Sequence, residues 1–387
     1  MITRQFPVDL SLQYPFENEL DKIAFFDIET TGFSADTTYL YLIGCVYYRA
    51  SSFHLIQWFS EGIHEESLLI TSFFEFLKNF EVLIHYNGTG FDIPYLLRKC
   101  ITLKLDYSFD KILSIDLYKK ISPYKKIFKL TNYKQKTIEA FLNIKREDIC
   151  DGGDLIQVYQ NYLGKKHYEM LRITRNPEES RVLPSQAEEL LQQLLLHNMD
   201  DIKGLVSICS ILFYIDMFEK PIHIIQAGVE GDQFTIRFET TSSLPKRISF
   251  GNNFVYVTAH NTNASLSIHT YEGQLKYFYE NYKDYYYLPA EDTAVHKSLA
   301  NFVDKDYRRK AKPSNCYTKK QGIFVPQYET VITPCFKESY QDKISFLEIH
   351  TDFLLQEENL EQYVNHILQY LVKNSTIIDK DRIKKLS

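Results

Sequence analysis

Asp27-Ile28-Glu29-Thr30-Thr31-Gly32 follows directly on the apolar run Ile23-Ala24-Phe25-Phe26. A short, bounded apolar run of this kind reads as a buried central strand. Side chains alternate along a strand, so Asp27 and Glu29 share one face. Two carboxylates one pleat apart repel each other unless a cation or a shared proton neutralises them. Hard divalent ions prefer oxygen ligands, which makes Mg²⁺ or Mn²⁺ the natural match. An isolated Asp-x-Glu is more often a solvated edge pair, so the rest of the chain has to decide.

Outward from this motif, strand-like runs at 23–28, 39–48 and 53–59 are separated by turn residues, as in a meander of neighbouring strands. Leu68, Leu69, Phe73, Phe76, Leu77 and Phe80 recur at helical spacing over 65–80. A short strand at 82–86, a Gly-containing turn, a helix from about Ile93 and a strand at 112–117 come next, with helices onward to about Phe218. This order predicts an α/β unit with a mixed sheet and flanking helices over 21–219, after a polar and aromatic lead-in at 1–20. Pro221 marks a boundary. Short alternating runs at 222–227, 233–238, 247–250, 254–258 and 265–270 predict a smaller β-rich α+β domain over 220–387. Helices are expected there over 292–303 and 360–373.

Three further pieces carry chemistry. In Leu83-Ile84-His85-Tyr86-Asn87-Gly88-Thr89-Gly90-Phe91-Asp92, a strand ends in a turn and Asp92 opens a helix, where a first-turn or capping carboxylate is common. In His197-Asn198-Met199-Asp200-Asp201, His197 and Asp201 are four apart and share a helix face. Asp116 ends a strand, and a helix or turn cap is the preferred reading for it.

In this order the pieces resemble the three motifs of the DEDD 3′–5′ exonuclease superfamily, which is built on the ribonuclease H-like fold. Asp27-x-Glu29-Thr30-Thr31-Gly32 is similar to the first motif, Asn87 with Phe91-Asp92 to the second, and His197-Asn198-x-x-Asp201 to the third. The second motif has the form seen in exonuclease domains of family B DNA polymerases. A closer resemblance is to the YprB-like ribonuclease H-like family. It extends through Ser114-Ile115-Asp116-Leu117 and Arg146-Glu147-Asp148 to Gly152-Gly153, covering roughly residues 21–215.

The resemblance implies a ribonuclease H-like sheet and a carboxylate cluster of Asp27, Glu29, Asp92 and Asp201. It implies two Mg²⁺ or Mn²⁺ ions, Asp27 bridging them, and phosphodiester hydrolysis at the 3′ end of single-stranded DNA or RNA. Thr30 and Thr31 would hold the terminal nucleotide, with Asn87 and Phe91 nearby. The family's general base is a Tyr four residues before the last Asp, or a His five before it. Here His197 stands at the tyrosine spacing, and a neutral imidazole can accept a proton from water. An endonuclease of the same fold and a catalytically weak nucleic-acid-binding module are the alternatives.

Composition narrows the class. The chain has 387 residues, 44% of them hydrophobic, which suits two domains with ordinary cores. A net charge of -6 argues against a generic nucleic-acid coat but not against a nuclease, whose needs are local. Cys45, Cys100, Cys150, Cys209, Cys316 and Cys335 form no C-x-x-C pair, so neither a zinc site nor a disulfide framework is expected. No basic-then-apolar leader and no spanning apolar stretch is seen, so the expectation is a cytoplasmic protein without a membrane partner. Of 29 Tyr and 27 Phe most are expected in cores. The basic segment 305–320, with Tyr307 and Tyr317 interleaved, suits phosphate contacts, a solvated loop or pairing with the acidic stretch 342–361. His296, Cys316 and Cys335 are expected to pack rather than bind metal.

Overall fold

In chain order the elements begin β1 (Ile2–Val8), β2 (Ile23–Thr30), β3 (Leu40–Arg49), β4 (Ser52–Phe59), α1 (Glu66–Leu77), β5 (Val82–His85), α2 (Asp92–Leu103) and β6 (Leu113–Asp116). This is a computed structural model, and it describes residues 1–147, 152–175 and 185–374. Asp148 and Cys150 of the sequence reading lie outside them. The six strands form one sheet in the order β1-β4-β3-β2-β5-β6. Strands β1 to β4 are antiparallel neighbours, whereas β5 and β6 run parallel to β2. The motif strand is therefore central, in the mixed sheet that the pattern of runs predicted.

Alternation along β2 sorts its two faces. Ala24, Phe26 and Ile28 pack with Leu69, Phe73, Tyr95 and Leu96 of α1 and α2. Phe26 stacks on Phe73 with ring centroids 5.5 Å apart, and burying a side chain of this size contributes about 1.5–3 kcal/mol. On the opposite face Tyr41, Leu42 and Phe59 meet Leu155 and Tyr159 of α6 (Gly152–Arg175) and Leu191, Leu194 and Leu195 of α7 (Gln186–Ile208). Between β6 and α6 lie α3 (Leu117–Ile121), α4 (Lys125–Phe128) and α5 (Gln135–Phe141). Strand β1 falls within the stretch read as a lead-in. Its alternation is weak and it contains Pro7, which an edge strand tolerates.

The chain divides into two compact units. One is Met1–Ser122 with Leu130–Leu212; the other is Pro123–Lys129 with the chain from Phe213 onward. In the second unit α4 packs beside α8 (Leu212–Glu219): the Tyr124 and Phe218 rings lie 5.1 Å apart, and Phe128 meets Tyr214 at 5.6 Å. Its long meander is β7 (Ile222–Glu230), β8 (Gln233–Gly251) and β9 (Val255–His269). The separate runs expected at 233–238 and 247–250 are one strand, as are those at 254–258 and 265–270. The interruption is a pair of register shifts between Glu239 and Ile248, where Thr, Ser and Pro residues break the alternation without breaking the strand.

Then follow β10 (Tyr271–Phe278), β11 (Tyr285–Leu288), β12 (Thr293–His296), α9 (Lys297–Ala300), β13 (Arg309–Lys310), β14 (Tyr317–Gln327), β15 (Cys335–Phe336), β16 (Ser345–Glu348), α10 (Thr351–Leu354) and α11 (Glu357–Asn374). The helix expected over 292–303 is mostly absent. Thr293 and Val295 favour an extended chain, and β11 offers them a partner. No helix among the described residues is long and apolar enough to cross a membrane.

Candidate active site

Asp27 lies near the carboxyl end of β2, directly opposite Gly44 on β3. A Cβ on Gly44 would sit 2.0 Å from Asn198 Oδ1 and 2.2 Å from Ile202 Cδ1. The missing side chain is what lets α7 close onto the sheet here. Asn198 is fully buried, and its Nδ2 donates to Asp27 Oδ2 at 3.2 Å. Gln57 Nε2 donates to Asn198 Oδ1 at 2.9 Å, which fixes the amide's orientation. Burial, then the charges of Asp92, Glu29 and Asp201, push the Asp27 carboxyl well above its usual range, against the Asn198 bond. Three carboxylates therefore act on a fourth.

His197 and Asp201, one turn apart on α7, face the same point. His197 Nε2 is 3.1 Å from Asp201 Oδ2 and 3.8 Å from Glu29 Oε1. The other Asp201 oxygen accepts from Arg146 Nη2 at 2.5 Å. Arg146 Nη1 donates to both oxygens of Glu139, at 2.9 and 3.1 Å, and Glu139 is only 1% exposed. Gly204 makes room for that carboxylate, since a Cβ there would meet Glu139 Oε1 at 2.0 Å. Burial pushes the Asp201 carboxyl up, but His197 and Arg146 outweigh it and hold the group below its usual range. Neighbouring Asp200 turns away and accepts from the Glu147 amide at 2.7 Å.

Asp92 sits in the first turn of α2 and is buried. Burial raises its carboxyl to about 7, with Asp116 adding to the rise and the amides of Asp92 and Ile28 opposing it. The turn before it is tightly held. Asn87 takes a left-handed φ of 59°, and Asp116 accepts from the amides of Asn87 at 2.9 Å and Thr89 at 3.3 Å. Asp116 also caps α3 through the Lys119 amide, so it is a turn and helix cap. His85 Nδ1 accepts from the Gly88 amide at 3.0 Å while Nε2 lies 2.7 Å from Ser114 Oγ. That pairing describes a neutral ring, and burial lowers its pKa to about 4.

Phe91 precedes α2 and meets Tyr95 at 5.6 Å and the outward-pointing Phe33 at 5.9 Å. Thr30 Oγ1 donates to Gly32 O, and the Thr31 amide donates to Tyr39 O, both at 2.8 Å. The Thr31 amide is thus engaged within the hairpin rather than presented outward. Asn198, Gln57, Glu139 and Gly44 were not among the expected site residues. Gln57 carried a readable signal, a polar residue inside an apolar strand run; Glu139 is tied to the site only through Arg146, whose other partner, Asp201, lies 55 residues along the chain.

The donor set suits a hard divalent ion. Ligand atoms of Glu29, His197 and Asp201 all lie within 4.8 Å of one another. The charges of Glu29, Asp92 and Asp201 all raise Asp27, a repulsion that a cation or a shared proton relieves.

In the second unit, the basic segment runs through β13. Lys310 lies opposite Tyr286 of β11, and the Arg308 guanidinium sits 5.0 Å from the centre of the Tyr286 ring. Directly opposed residues share a sheet face, so Arg308, Lys310 and Tyr286 lie together. Lys319 pairs with Asp292 at 2.5 Å, and Lys320 pairs with Glu348 of the acidic stretch at 3.3 Å. Cys316 is buried, and His296 is exposed beside Ser298.

Residues 24–213 match the family model RNase_H_2 of the RNase H superfamily. That stretch of the chain belongs to the RNase H superfamily, and the mixed sheet described above is its fold. No curated protein matches the chain. Among solved structures it is similar to the family B DNA polymerase from the hyperthermophilic archaeon Pyrobaculum calidifontis, with 12% identity and a TM-score of 0.38. That alignment covers 73% of this chain and 39% of the polymerase, so the chain spans well under half of that protein. A second similarity is to E. coli ExoI in its zinc-bound complex with single-stranded DNA, with 11% identity, a TM-score of 0.27, and coverage of 91% and 71%.

Proposed function

We propose that the chain is a metal-dependent nuclease that hydrolyses phosphodiester bonds of single-stranded DNA or RNA from the 3′ end. The observation that carries this reading is the grouping of Glu29, His197 and Asp201, whose ligand atoms all lie within 4.8 Å of one another, with the charges of Glu29, Asp92 and Asp201 acting on Asp27, in a domain of ribonuclease H type. Glu29 and Asp201, with Asp27 and Asp92, would hold Mg²⁺ or Mn²⁺. A pair of such ions lowers the pKa of the attacking water and neutralises charge on the phosphodiester.

The chain's own residues set the rest. Asn198, held by Gln57, orients Asp27 through one hydrogen bond. Arg146 and His197 keep Asp201 ionised in one orientation. We assign to His197 the proton released by the attacking water. Its Nε2 lies 3.1 Å from Asp201 Oδ2 and 3.8 Å from Glu29 Oε1, within the carboxylate group. Phe91, Asn87 and the turn at Thr30 and Thr31 are assigned to the terminal nucleotide. The Arg308–Tyr286–Lys310 face is assigned to phosphate and base contacts along the strand.

A time course on 5′-labelled single-stranded DNA and RNA with Mg²⁺ or Mn²⁺, run beside Asp27→Asn, tests the proposal. Products shortened stepwise from the 3′ end, and lost in the mutant, are expected. Discrete internal cuts lost in the same mutant would make the enzyme an endonuclease. Strand binding without turnover in either metal would leave a binding module.

A further inference from the structure

Strands β2 and β3 pair until Glu29 faces Leu42, and the next pair is Thr30 with Leu40. Tyr41 is therefore the extra residue of a β-bulge beside Glu29. Bulges re-aim the side chain they carry and concentrate next to active sites. The Tyr41 side chain is fully buried and stacks on Tyr159 of α6, with centroids 4.2 Å apart and planes within 13°. Phe59 packs against the same ring edge-on at 6.3 Å. The ring is thus fixed on its apolar sides, yet its hydroxyl has no hydrogen-bond partner among the described residues.

A buried phenol without a partner forfeits the hydrogen bonds it made to water, and native structures rarely leave such groups unmatched. Burial, then Glu29, Tyr159 and Asp27, raise the pKa of this phenol well above its ordinary value. A phenol hydroxyl can donate a hydrogen bond as well as accept one. The charges that act on it are two of the four site carboxylates.

On the nuclease reading above, we infer that Tyr41 is a positioning residue of the carboxylate site, its hydroxyl donating to Glu29 and holding that carboxylate in its ion-binding orientation when the site is filled. The phenol does not touch the reacting atoms. Its contribution lies in ion affinity and in the order of the site, not in strand binding.

Wild type, Tyr41→Phe and Tyr41→Leu, each as the full chain, separate this role from packing. Three quantities are read: Mn²⁺ affinity by calorimetry, melting temperature with and without Mn²⁺, and kcat and KM on a labelled single strand. Tyr41→Phe deletes only the hydroxyl. Without metal it should melt at the wild-type temperature or above. It should bind Mn²⁺ about 10-fold more weakly and lose about 10–100-fold in kcat at unchanged KM. Tyr41→Leu also loses the stack on Tyr159 and should melt lower in both conditions.

Wild-type Mn²⁺ affinity and kcat in Tyr41→Phe would overturn the assignment and leave Tyr41 as core packing. A lower melting point of metal-free Tyr41→Phe would overturn it too, because the hydroxyl would then have a partner already. A wild-type protein that neither binds Mn²⁺ nor cuts would remove the nuclease reading itself, and the role of Tyr41 with it. The wild-type arm distinguishes that failure from the others.

Discussion

Arg146 grips Asp201 Oδ1 at 2.5 Å with one arm of its guanidinium and the buried carboxylate of Glu139 with the other. A partly exposed site carboxylate is thereby tied to one that solvent barely reaches. Removing the cation strands Glu139, and breaking such a buried pair costs about 3–5 kcal/mol. Arg146→Met should lose stability of that order in urea denaturation. Adding Glu139→Gln to Arg146→Met should recover part of it, because the uncompensated charge is gone. Equal stability of the single and double variants would sink this account.

Gly44 is outside the carboxylate cluster, yet α7 rests on it. Gly44→Ala places a methyl where Asn198 and Ile202 now stand. Overpacking of this kind costs about 1–3 kcal/mol. We expect a lower urea midpoint, together with turnover reduced more than in a surface control, since Asn198 also orients Asp27. Normal turnover would show that α7 adjusts freely.

His85 provides an acid limit. Its folded pKa of about 4 is below the unfolded value near 6.5. The unfolded chain binds the proton more readily, so stability is present above about pH 6.5 and is lost as pH falls toward 4. At 1.36 kcal/mol per unit the full loss is of the order of 3 kcal/mol. His85→Gln should flatten the part of the stability curve between those two pH values. An unchanged acid slope in the variant would assign the transition to other groups.

Divalent ions should stabilise the fold as well as enable turnover. Asp27 is raised by burial and by three neighbouring carboxylates, so Asp27→Asn should raise the melting temperature of the metal-free protein. Wild type should gain up to about 2.7 kcal/mol at a hundredfold excess of Mn²⁺ over its Kd, and the variant much less. A variant that melts lower without metal would argue against repulsion at this point.

Arg308 and Lys310 are outside the RNase H-like stretch. Replacing both with Ala should weaken single-strand binding at low salt. For each phosphate no longer neutralised, the slope of log affinity against log salt should also fall by about 0.7. An unchanged slope would remove this face from the strand's path.

The fold class was legible because Ile23-Ala24-Phe25-Phe26 is a short, wholly apolar run and because helical spacing is clear through Leu69 and Phe73. The grouping of Asp27 with Glu29, and of His197 with Asp201, follows from strand and helix periods alone. What brings these pairs together is long-range and leaves little local trace. Arg146 reaches back to Glu139 and on to Asp201 from a loop with no periodicity. Tyr41 looked like one more aromatic in a strand, because a bulge is set by pairing with another strand and not by composition. The failed helix over 292–303 has the same origin, since β11 decided the conformation of Thr293 and Val295.

Neither unit is one uninterrupted piece of chain. The excursion at Pro123–Lys129 leaves the first unit and is built into the second, where Ile127 and Phe128 are buried. A stop codon after Leu212 would therefore not release a clean catalytic fragment. It would strip those two side chains of their cover and leave an adhesive loop. Excising or exchanging the second unit means rewriting residues 123–129 with polar ones in the same step. A cut made at any single point between the two units would therefore leave one of them incomplete.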